Sequence, residues 1–157
     1  EQTYYPSPSG KNEPVHIPPN LYVIGTMNKA DRSLALVDFA LRRRFAFVQL
    51  KPNFGEAWKQ WCKKKHGFND DFVNIVANQM AALNDVIAND HSLGEQYQVG
   101  HSYVTPQVEI QISDPVVWFA DVVETEIYPL LAEYWYDSQE EKAKTEKQNL
   151  IKAVVND

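Results

Sequence analysis

Residues 23–47 read VIGTMNKADRSLALVDFALRRRFAF, and the order of residue types in them decides the architecture expected of the chain. The run Leu21–Met27 is apolar, rich in β-branched residues and closed by the polar Asn28. A short apolar run closed by a polar residue is the pattern of a parallel strand covered on both faces. Asp31 or Ser33 then caps a helix whose Leu34, Val37, Ala40 and Leu41 recur at helical spacing, and Arg42, Arg43 and Arg44 fill its last turn. Phe45 to Leu50 reads as a second short strand, ended by Pro52, Asn53 and Gly55. Strand, helix, strand is the unit of an α/β core.

Working outward, residues 1–20 contain Pro6, Pro8, Pro14, Pro18 and Pro19, which suits a surface loop or a strand lead-in. Downstream the pattern becomes helical. Phe54, Trp58, Trp61 and Cys62 share one face of a helix over Phe54 to Lys65, and Lys63, Lys64 and Lys65 end it, where cations suit the helix dipole. Asn69 caps a longer helix carrying Phe72, Ile75, Val76, Met80, Leu83 and Ile87. Residues 92–113 are polar, with Gly94, Gly100 and Pro106, and read as an irregular loop or hairpin. Asp114 and Pro115 supply an N-cap and a first-turn proline for a helix with Trp118, Phe119, Val122, Val123, Ile127, Leu130 and Leu131 in its buried stripe, and Pro129 should kink or split it. A charged terminal helix follows over Gln139 to Asp157, with Leu150, Ile151, Val154 and Val155 as its apolar patch. The expected division is an α/β portion over 1–50 and a helical portion over 51–157.

The chain has 157 residues, of which 44% are apolar, enough to build a core. One cysteine, Cys62, excludes an internal disulfide framework, and its place on an apolar helical face assigns it to packing. His16, His66, His91 and His101 show no metal-ligand spacing. The four tryptophans fall at core spacings, and a net charge of −6 argues against a surface wholly devoted to nucleic acid. No run has the length of a membrane span or the pattern of a signal peptide, so a cytoplasmic location is expected.

In open parallel sheets ligands bind beyond the carboxyl ends of the strands, where Asn28 is expected. An amide there can donate to a phosphate oxygen and accept from an attacking water. Taken alone, Asn28 also reads as a turn residue bonded to its own backbone, and the three arginines also read as a solvated basic run. Together they suggest nucleotide chemistry, with one guanidinium reaching a neighbouring subunit's phosphates.

The stretch IPPNLYVIGTMNKADRSLALVDFALRRRFAFVQLKPNF resembles the sensor-I strand and arginine-finger helix of the AAA+ module of the McrB family, the GTP-hydrolysing subunits of modification-dependent restriction systems. GHSYV at 100–104 and IYPLLAEYWYD at 127–137 resemble that family's lid, so the resemblance covers about Pro18 to Asp137. It implies an AAA+ α/β core remnant followed by a helical lid. Asn28 then positions the attacking water, Arg43 and Arg44 act on a neighbour's nucleotide, and Arg42 is the less engaged of the trio. Asp31 and Arg32 match an interface loop near an McrC-like nuclease partner, and His101 and Ser102 match the lid segment near the nucleotide. Lys29 departs from the family's Thr. The usual sensor-II arginine is not evident in GHSYV.

The implied parent binds GTP, or ATP, with Mg, forms a six-membered ring and drives DNA translocation without any membrane. This chain contains no G-x-x-x-x-G-K-[ST] loop and no apolar strand ending in Asp-Glu. It is therefore expected to be a C-terminal fragment, inactive and free of cofactor when alone. The alternatives are a non-catalytic helical interaction module and a fragment of a MoxR-type ATP-dependent chaperone.

Overall fold

The computed structural model describes residues 3–6, 12–15, 18–27, 43–108, 110–136 and 139–155. The chain divides into two compact units, Glu1–Ala35 and Leu36–Asp157.

In the first unit, β1 (Thr3–Pro6) pairs antiparallel with β2 (Asn12–Val15), with Thr3 opposite Val15 and Pro6 opposite Asn12. Prolines at 6 and 14 are tolerated because both strands of a two-stranded ribbon are edges, where a missing N–H need not break a ladder. Residues 21–27, read from the sequence as a buried parallel strand, have no regular secondary structure and are exposed, Ile24 to 93%. The second expected strand, 45–50, likewise forms no ladder, with Leu50 at 89% exposure. The physical reason is the same for both. A strand covered on two faces exists only when other strands supply its hydrogen bonds and other elements cover it, and no described residues do either. The helix expected between them, over 34–44, lies almost wholly outside the described residues.

The second unit is helical. α1 (Glu56–His66) buries Trp58 and Cys62 and ends on Gly67, whose positive φ of 69° lets its N–H return to the Lys63 carbonyl at 3.0 Å. α2 (Asp70–Ala88) starts where Asn69 accepts a hydrogen bond from the Phe72 N–H at 2.7 Å, and it buries Phe72, Val76, Met80, Leu83 and Ile87 on one stripe. Asp114 caps α3 (Pro115–Val122) by accepting from Val116 N and Val117 N at 2.9 and 3.2 Å. A π-helical turn, Val123–Ile127, joins α3 to α4 (Tyr128–Tyr134). Pro129 has no N–H to give, so a wider turn just ahead of it absorbs the missing bond. The rod stays continuous, and Phe119, Val123, Ile127, Leu131 and Trp135 all face inward. α5 (Glu140–Val155) buries Ala143, Leu150 and Val154.

α1 packs on α2, α2 on α5, and the α3–α4 rod on α5. Aromatic rings close the end of the bundle nearest α1: Phe68 meets Phe72 edge-on at 5.1 Å and Trp118 at 5.6 Å, and Phe72 meets Phe119 at 6.3 Å. Burial pushes the Cys62 thiol up to about 11, as expected of a packing cysteine. No helix among the described residues is long and apolar enough to cross a membrane.

Candidate functional site

Four of the residues singled out from the sequence, Asn28, Asp31, Arg32 and Arg42, lie outside the described residues. Arg43 and Arg44 sit in an exposed turn and form no ion pair with any described residue. Among the described residues, none engages their guanidinium donors.

His101 and Ser102 are brought side by side in a 3₁₀ turn, His101–Val104, that starts at Gly100. Both are exposed. The turn is fixed from three directions. The His101 Nδ1 accepts from the Asn53 backbone N–H at 3.3 Å, and its ring stands edge-on to Phe54 at 6.4 Å. Its carbonyl accepts from the Thr105 hydroxyl at 2.6 Å, and that hydroxyl accepts from the Trp58 indole N–H at 2.9 Å. The third tie was not legible as a site residue. Asn84, buried on α2, donates to the Val99 carbonyl at 2.9 Å and accepts from the Val99 N–H at 2.7 Å. The only sequence signal for it is an amide standing within an otherwise apolar helical stripe, between Leu83 and Ile87.

A groove of about 440 Å³ runs beside this assembly, lined by Lys51, Asn53, Phe54, Asn78, Glu95 and Gln98 among others. It offers amides, a cation and a carboxylate, but no nucleophile paired with a base. Lys51 is itself engaged by Glu95 at 3.0 Å.

A second polar node lies at the far end of α2. Asp90 Oδ1 accepts from the Ser92 N–H and hydroxyl at 2.9 and 2.7 Å. Its Oδ2 accepts from the Trp135 indole at 3.0 Å and the Lys142 ammonium at 2.5 Å. Lys142 also lies over the Trp135 ring, 4.8 Å from its centre. The Lys142 hydrogen bond, followed by the Ser92 hydroxyl, holds the Asp90 carboxyl well below the usual carboxylate range, against the opposing effect of burial. All four donors come from the protein itself, so Asp90 is a tie between α2, α4 and α5 and has no lone pair directed at a ligand. Nearby, burial and then the neighbouring Tyr103 push the Tyr134 hydroxyl up to about 12, and the Tyr97 ring stands edge-on to it at 5.2 Å.

No group of three His, Cys, Asp or Glu side chains poised for a metal ion occurs among the described residues.

Residues 75–143 match the family described as McrB, alpha-helical lid domain. The Type IV methyl-directed restriction enzyme EcoKMcrB subunit of Escherichia coli strain K12 is 38% identical to this chain over 134 residues, which cover 84% of the chain and 29% of that subunit. The present chain thus spans less than a third of the relative's length. The matched lid begins within α2 and ends within α5, so it takes in Asn84, the GHSYV turn, the π turn and Asp90. Residues 75–143 match the McrB alpha-helical lid domain, and the chain that carries them is McrB-like.

Proposed function

We propose that the chain is the C-terminal part of an AAA+ GTPase subunit of a modification-dependent restriction complex, comprising the end of the α/β core and the lid. The observation that carries this reading is the 38% identity over 134 residues with a restriction subunit, which extends well beyond the 69-residue lid match. The two exposed apolar stretches at 21–27 and 45–50 support it. They have the composition of central strands and lack only neighbours, which a longer polypeptide would provide.

In the complete subunit the nucleotide and its Mg are held largely by the portion preceding this chain. Asn28 orients the attacking water in its own subunit's site. Arg43 or Arg44 reaches the terminal phosphate held by the next subunit of a six-membered ring and stabilises the charge that builds there. Asp31, Arg32 and Arg42 lie at the subunit border, where an McrC-like nuclease docks. His101 and Ser102 stand at the nucleotide-facing edge of the lid, placed by Asn84 and Asn53. Hydrolysis powers movement on DNA that is recognised by regions outside this chain.

The test is turnover by a chain extended to include the phosphate-binding half. Arg43→Ala or Arg44→Ala should lower kcat for GTP by about 10³, the usual contribution of an arginine finger. Restored turnover is expected when the variant is mixed with subunits that retain the arginine but cannot hydrolyse. Near-normal turnover in both single variants and in the double variant removes the finger assignment.

A further inference from the structure

Residues 51–54 carry the chain from the exposed stretch 45–50 into α1 and form no helix or strand of their own. Side chains hold this strap in place. Lys51 pairs with Glu95 at 3.0 Å, but both side chains are exposed and such pairs contribute little. Phe54 stands edge-on to Trp58 at 5.6 Å and to His101 at 6.4 Å. Among the described residues, the only backbone group of the strap that bonds outside it is the Asn53 N–H, which donates to His101 Nδ1 at 3.3 Å.

That bond fixes the state of the ring. A backbone amide can only donate, so Nδ1 carries no proton and the neutral imidazole holds its proton on Nε2. Protonation at Nδ1 would set a second N–H against that of Asn53, so the bond belongs to the neutral ring alone. The turn behind the ring does not depend on it: the other ties run from the Thr105 hydroxyl to the His101 carbonyl, from the Trp58 indole to Thr105, and from Asn84 to Val99. Charging the imidazole therefore leaves the turn in place and acts on the strap.

Other charged groups on the elements that meet here are occupied elsewhere. Lys51 and Glu95 hold each other, Lys59 of α1 donates to Asn74 at 2.7 Å, Glu56 accepts from Gln60 at 2.9 Å, and Asp114 caps α3, along which Asp121 follows. Among the described residues, no charged side chain bonds to the imidazole. Side-chain carboxylates and ammonium groups ordinarily stay charged between about pH 5.5 and about pH 7.5, the window in which an imidazole changes charge.

We infer that His101 is a proton-released clasp, which docks the 51–54 strap on the turn when neutral and lets it go when charged. This goes beyond the nucleotide reading above and does not require it. A freed four-residue strap spans up to about 14 Å, so the clasp governs how closely the stretch 45–50 is held to the helical body. Loss of one hydrogen bond corresponds to about a threefold to tenfold change in docking.

NMR of the 157-residue chain tests this with two readings. Imidazole nitrogen shifts near about pH 8 should show His101 protonated on Nε2 and bare at Nδ1. Exchange of the Asn53 amide, corrected for its intrinsic pH dependence, should quicken about threefold to tenfold from about pH 7.5 to about pH 5.5. His101→Asn places an amide oxygen where Nδ1 stood and cannot titrate, so Asn53 should stay protected at both pH values. His101→Phe keeps a ring without an acceptor, so Asn53 should be unprotected at both. Protection of the Val99 amide, held by Asn84, reports in each variant that the turn is folded. An Nδ1–H tautomer, or Asn53 protection in the wild type that does not change with pH, overturns the clasp. So does an unchanged pH dependence in His101→Asn, which would assign the effect to another histidine such as His66, whose buried Nε2 has no hydrogen-bond partner among the described residues. None of these readings involves a nucleotide, so the arginine turnover assay decides the motor reading separately.

Discussion

Asn84 does with one side chain what an adjacent strand does with its backbone, giving and receiving one hydrogen bond with the same residue, Val99. Both groups of Val99 are buried, so the amide replaces the water they lose on folding. Asn84→Ala should therefore cost about 2 kcal/mol in urea unfolding, since two buried polar groups are left without partners. A cost below about 0.5 kcal/mol would mean that water fills the gap. The same change should loosen the GHSYV turn, because Val99 is the residue that leads into it. Arg43 and Arg44 illustrate the opposite condition. A charge pair in their own chain would have argued for a structural role, and no described residue provides one.

At the scale of elements, the Asp90 node ties the ends of three helices, and its energetic sign can be worked out. The carboxyl titrates lower in the folded chain than in the unfolded one, so its contribution is complete above the unfolded value, near pH 4, and fades as pH falls toward the folded value. Asp90→Asn should be less stable by about 2 kcal/mol at pH 7, where the charge pair with Lys142 is lost. The gap between wild type and variant should narrow as pH is lowered from about 5 to about 2; a constant gap would mean that the shape of the side chain matters and its charge does not. The helices that meet at this node were legible in the sequence because their signals are local. Asn69 and Asp114 capped where their types and positions indicated, and the apolar spacing of α2 and α3 gave the buried faces. Pro129 was legible as an interruption, but its resolution into a π turn depends on the pull of Ile127, Leu131 and Trp135 toward the core. The ties through Asn84 and Asp90 were not legible, since their partners lie 15, 45 and 52 residues away along the chain. The strands expected at 21–27 and 45–50 failed for the same reason at larger scale: pairing is a property of two segments, and composition reports only one. Of the candidate site, the sequence supplied residue types, while the connection of His101 to Asn53 and Phe54 came only with the fold.

For the molecule as a whole, packing onto the helical body begins, among the described residues, at Lys51 and not at Glu56, because Lys51, Asn53 and Phe54 already reach Glu95, His101 and Trp58. A chain beginning at Lys51 should melt within about 3 °C of the full chain, whereas one beginning at Glu56 should melt about 5 °C lower, the shift that a loss of roughly 1 kcal/mol produces in a domain of this size. Equal melting of the two would show that residues 51–55 are passengers. The π turn carries a consequence of a different kind. It holds one residue more than the α-helical turn it replaces, and the inward direction of Leu131 and Trp135 depends on that surplus. A cousin that lacks the proline and runs straight through this stretch should compensate by being shorter there by a single position, so a one-letter gap between 123 and 127 would be the evolutionary footprint of the bulge.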